Sequence, residues 1–71
     1  MNSHVIKILM EVAEKHAVYT TDILSRSRRA DHLGARWEVF YRLAHERKYS
    51  GNHIATIFNR DHTVVNYGIV R

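Results

Sequence analysis

The side chains best suited to chemistry in this 71-residue chain stand in one run, Arg60-Asp61-His62-Thr63-Val64-Val65. A carboxylate, an imidazole and a hydroxyl side by side suggest catalysis first. Geometry argues against it, because neighbours on a helix project about 100° apart, so Asp61 and His62 cannot form a relay aimed at one atom. The chain has no cysteine, no glycine-rich phosphate loop and no histidine pair at i,i+4 spacing, and its six histidines are scattered. The expectation is a protein that is not an enzyme, with no cofactor, no metal site and no small-molecule substrate.

The chemistry these residues do suit is the reading of double-stranded DNA. Three short polar side chains crowded at a helix start match the part of a recognition helix that meets base edges in the major groove. A merely solvated helix would more often show Glu and Lys spaced for i,i+4 pairing. His62 and Thr63 then face base edges and thymine methyls. Asp61 caps its own helix and accepts from a cytosine amino group, Asn66 one turn on reaches toward adenine, and Arg60 pairs with a phosphate.

These residues need elements to position them. Residues 50–69 read as two short helices joined by a tight polar corner, a helix-turn-helix pattern. Ser50 caps the first, whose Ile54, Ile57 and Phe58 recur at i, i+3 and i+4; Asp61 caps the second, with Val65, Gly68 and Ile69 inward. Upstream, Ser3 caps a helix over roughly 4–16 with Val5, Ile8, Leu9 and Val12 on one face. Its outer side carries a Glu11–Lys15 pair worth about 0.3–0.5 kcal/mol. Thr20-Thr21-Asp22-Ile23-Leu24 reads as a short Thr-capped helix; Tyr19 to Thr21 would also suit a strand, but no partner strand is apparent. Residues 26–34 read as an exposed basic strap broken by Gly34 and facing phosphates, with Arg26, Arg28 and Arg29 in it and Arg36 just beyond. The longest helix is expected over about 35–48, with Trp37, Phe40, Tyr41 and Ala44 as core residues and Leu43 beside them. The fold class that follows is all-α, one domain over residues 1–71, a bundle of about five helices ending in a helix-turn-helix.

Composition sets the outer bounds. A 71-residue domain without cysteine has no disulfide or zinc-thiolate staple, so helix packing must stabilise it. Its net charge of +4 points to an anionic partner. The apolar runs are too short to span a bilayer and the start resembles no secretion signal, so the expected location is cytoplasmic, with the nucleoid.

At these residues the chain resembles the C-terminal DNA-binding domain of DnaA, the bacterial replication initiator. The likeness rests on Val12-Ala13-Glu14, Asp22-Ile23-Leu24-Ser25-Arg26-Ser27-Arg28, Ala35-Arg36, Leu43-Ala44, Ser50 through Ala55 with Phe58, and above all Arg60 to Val65. It covers roughly residues 8–70. The resemblance implies a helical domain related to the Trp-repressor type of helix-turn-helix. It implies base contacts by Asp61, His62, Thr63 and Val64, a minor-groove contact by Arg36, and backbone contacts around Ser50, Gly51 and Asn52. With Arg28, Arg29, Asn59 and Arg60, Ser50 and Asn52 make the expected phosphate set. The corner is one residue shorter than the family's two-glycine form, Gly51-Asn52-His53 replaces a Leu-Pro-Glu type of start, and the long helix matches only with a one-residue shift. The expectation is that no ATPase domain precedes the unit and that the family's final helix is missing or cut short at Arg71, so the chain alone is not expected to act as a full initiator.

Two functions follow. One is a sequence-specific duplex-DNA binder, a transcription or replication regulator of bacterial, phage or mobile-element origin. The alternative is an interaction module that dimerises or docks on another protein through an apolar edge at Tyr67, Ile69 and Val70.

Overall fold

Five helices succeed one another: α1 (Ser3–His16), α2 (Thr20–Leu24), α3 (Ala30–Glu46), α4 (Gly51–Phe58) and α5 (His62–Ile69). The structure, a computed structural model, describes residues 1–69. No strand occurs among the described residues, and none of their helices is long and apolar enough to cross a membrane. Val70 and Arg71 lie outside the described residues, and with them the expectation of a final helix cut short.

The central element is α3, which packs against each of the other four helices. Its inward residues are His32, Ala35, Arg36, Val39, Phe40 and Leu43, spaced as one stripe of a 3.6-residue repeat. This corrects the aromatic stripe expected from the sequence: Phe40 is sealed, Trp37 and Ala44 sit at the margin, and Tyr41 is 46% exposed. Two polar residues, His32 and Arg36, occupy inward positions, so a search for apolar periodicity passes over the true face. Against this stripe lie Val5, Ile8, Leu9 and Val12 of α1, Ile23 of α2, Ile54 and Phe58 of α4, and Val65 of α5. Phe40 and Phe58 meet edge to face with centroids 5.5 Å apart.

The start of α3 differs from expectation. Residues 30–34 are helical, so the irregular strap is limited to residues 25–29. Gly34 breaks nothing, since α3 runs unbroken through it. Helix propensity costs glycine about 1 kcal/mol, which packing on α3's opposite face overrides. The helix stops at Glu46, short of the expected 48, where Lys48 turns left-handed at φ 59° and Tyr49 N–H donates to Leu43 O at 3.2 Å.

Three local assignments also shift. Asn2, not Ser3, caps α1, its Oδ1 accepting from Val5 N–H at 3.0 Å. At α2 the cap position is Tyr19, whose N–H donates to the Asp22 carboxylate at 3.0 Å. Glu11 and Lys15 do not pair with each other: Lys15 meets Glu38 at 3.1 Å and Glu11 meets Arg42 at 2.9 Å, so both tie α1 to α3. Long side chains reach across a helix interface that sequence spacing does not show. At the C-terminal edge Ile69 packs on the core and Tyr67 stands edge-on to Trp37, centroids 5.8 Å apart.

Candidate nucleic-acid interface

The corner between α4 and α5 is Asn59, Arg60 and Asp61, and its reversal falls on the first of them. Asn59 takes the left-handed conformation at φ 53°, which asparagine tolerates better than most residues with a Cβ. Arg60 N–H then reaches back to Ala55 O at 2.9 Å, closing α4 in a Schellman-type end. Ser50 Oγ caps the other end by accepting from His53 N–H at 3.1 Å, as expected. With its two ends fixed, α4 sets the angle at which α5 leaves.

Asp61 caps α5, its Oδ1 accepting from Thr63 N–H at 2.8 Å. The Thr63 backbone amide, then the Thr63 hydroxyl, then nearby His62 hold the Asp61 carboxyl below its ordinary pKa. Asp61, His62, Thr63, Val64 and Asn66 are all exposed, as are Asn52 and Asn59, while Val65 is sealed in the core. The helix therefore buries one face and offers its opening turn to solvent. Asn66 leans across the start of α4, where a Cβ on Gly51 would collide with its Oδ1.

Two clefts flank that turn. One runs between α4 and α5, lined by Asn52, Thr56, Asn59, Arg60, Asp61 and His62. The other, of about 280 Å³, separates α5 from the strap and is lined by Arg26, Arg28, Arg36, Trp37, Arg60 and Val64 among others. The tertiary structure thus brings strap arginines beside Val64, on the same side as the opening turn of α5.

The strap alternates. Ser25 Oγ donates to Asp22 O at 2.7 Å and accepts from Ser27 N–H at 3.2 Å, and Ser27 Oγ accepts from Arg29 N–H at 3.2 Å. Serine hydroxyls mimic backbone turns in this way. The half-buried serines face inward and Arg26 and Arg28 outward. Arg29, also exposed, shares its guanidinium with the Asp31 carboxylate at 3.3 Å. Among the described residues no carboxylate lies within ion-pair distance of Arg26 or Arg28; the Glu11, Glu38 and Glu46 pairs all lie along α1 and α3.

Arg36 lies elsewhere than a minor-groove contact would place it. It is 4% exposed and its guanidinium is consumed by backbone carbonyls: Nε donates to Ile23 O at 2.7 Å, Nη1 to Ser27 O at 3.1 Å, and Nη2 to Ser25 O at 2.7 Å and Asp22 O at 3.1 Å. A side chain so enclosed is not presented to a minor groove. Burial lowers its pKa, and the nearby Arg60 charge adds to the effect. Arg60, expected at a phosphate, is half-buried and turns Nη2 toward Ser25 O and toward Leu24 O at 3.3 Å. His32, not among the expected site residues, also meets the strap: its Nδ1 hydrogen-bonds Ser27 Oγ at 2.8 Å and its Nε2 lies 3.5 Å from Asp22 Oδ2. The period-two Ser-Arg-Ser-Arg run was the available signal for an inward-serine, outward-arginine strap.

A family model described as the bacterial dnaA protein helix-turn-helix matches residues 5–71. No curated protein and no solved structure gives a significant match. The match extends over the strap, the corner and the exposed start of α5 alike, and the chain belongs to the bacterial DnaA helix-turn-helix family.

Proposed function

We propose that the protein is a sequence-specific binder of duplex DNA that acts as a transcription or replication regulator. The observation that carries this reading is the exposed opening turn of α5, Asp61 to Val64, standing beside Arg26 and Arg28, which no carboxylate among the described residues neutralises. A helix entering the major groove by its N-terminus presents such a turn to base edges. His62 and Thr63 read bases, Val64 meets a thymine methyl, and Asp61 accepts from a cytosine amino group with the oxygen its cap leaves over. Asn66 joins them after swinging off the start of α4. Arg26 and Arg28, with Arg29 and the polar rim of Ser50, Asn52 and Asn59, hold phosphates and orient the domain. Arg36 has no place in this set.

Selection of preferred duplexes from a random pool, followed by titration at fixed salt, tests the reading. His62→Ala should flatten the preference at one or two positions, a loss of about 1–3 kcal/mol per lost base contact. Arg28→Ala should weaken all sequences alike and lower the salt slope by about 1. Absence of any preferred duplex at moderate salt would refute it.

A further inference from the structure

We infer that Arg60 and Arg36 are positioning residues that join the strap to the recognition-helix corner through one shared acceptor, the carbonyl oxygen of Ser25. The strap has no regular secondary structure, so its conformation depends on where its carbonyls are held. Four carbonyls at and just before it, those of Asp22, Ile23, Ser25 and Ser27, converge on Arg36 of α3. Arg60, at the foot of α5, donates to the same Ser25 carbonyl and to its neighbour Leu24 O. One backbone oxygen therefore lies at the meeting point of α3, the strap and the corner. His32 steadies the far side through Ser27 Oγ.

This arrangement has two consequences. Carbonyl dipoles solvate a guanidinium without cancelling its net charge, so Arg36 and Arg60 keep the junction positive while touching no phosphate. Since Arg60 is anchored inward, the distance between outward-facing Arg26 and Arg28 and the opening turn of α5 is set before DNA arrives. Such preorganisation improves affinity by reducing the ordering required on binding. The inference rests on the duplex-binding reading for its purpose, but the junction itself can be tested without DNA.

The experiment uses the full chain with Arg60→Gln. In the absence of DNA, amide hydrogen exchange at Ser27 and Arg29 should accelerate at least about tenfold, with α1 amides unchanged as the internal control for folding. On the duplex selected by the wild type, affinity should fall about tenfold or more with the slope of log K against log salt unchanged. A direct phosphate contact would instead remove about 0.9 from that slope. Unchanged exchange in the strap, or a slope reduced by about one unit, overturns the inference. If Arg60→Gln does not fold, Arg60→Met, which keeps the apolar stem, takes its place. Should the wild type select no duplex, the duplex-binding reading fails and the exchange measurement still decides the junction.

Discussion

Replacing Arg36 by methionine separates a structural arginine from a DNA-contacting one. The substitution keeps most of the stem and removes the guanidinium, with its donors to Asp22 O, Ile23 O, Ser25 O and Ser27 O. Asp22 O retains Ser25 Oγ and Ser25 O retains Arg60, but Ile23 O and Ser27 O lose their donor. An enclosed carbonyl left without a partner costs about 1–3 kcal/mol. Two of them therefore cost about 2–6 kcal/mol, less whatever is recovered by no longer burying a charge. The expected loss is about 2–4 kcal/mol, a large part of the stability of so small a domain. At roughly 4–8 °C per kcal/mol, the Tm should fall by roughly 10–30 °C. Thermal and urea unfolding followed by far-ultraviolet circular dichroism, without DNA, gives the answer. A change below about 1 kcal/mol, accompanied by selective loss of DNA binding, would place the guanidinium on the DNA and rule out a structural Arg36.

Two glycines should respond differently to alanine. At Gly68 the new Cβ lies 3.0 Å from Trp37 Cδ1 and 3.2 Å from Phe40 Cδ2. Phe40 is sealed and cannot yield, so Gly68→Ala should destabilise by about 1–3 kcal/mol in urea titrations. At Gly51 the obstacle is the exposed Asn66 amide, which can rotate away, so Gly51→Ala should stay within about 0.5 kcal/mol of the wild type. Equal losses at the two sites would contradict this account. Acid should weaken the α1–α3 contact. Burial alone would raise the Glu38 pKa, but hydrogen bonds from His16 and Lys15, with the charges behind them, bring it below its ordinary value. A carboxylate depressed in the folded state contributes stability that is whole above its unfolded pKa of about 4.3 and lost as pH falls through the folded value. The Tm should hold from neutrality to about pH 5 and then decline, and Glu38→Gln should have a lower Tm near neutrality and a shallower decline. Parallel curves for the two proteins would show that Glu38 contributes nothing to the acid response.

The features legible from residue order alone are local and periodic. The apolar stripes of α1, α4 and α5, the Ser50 and Asp61 caps, and the outward turn at Asp61 to Thr63 all follow from residues within about one helical turn of one another. The family likeness was legible for the same reason, since its most specific residues form one unbroken run. Tertiary structure decided what depends on partners distant in sequence. Whether Arg36 faces solvent or the interior depends on carbonyls 9 to 14 residues away, and Arg60 is drawn inward by an oxygen 35 residues away. Sequence spacing assigns a charged residue to the surface by default, because burying a charge is costly unless donors and acceptors match. Here the turned-in backbone of residues 22–27 supplies that match, and only the packing of α2 against α3 creates it. The same packing leaves Arg26 and Arg28 outside, beside the start of α5.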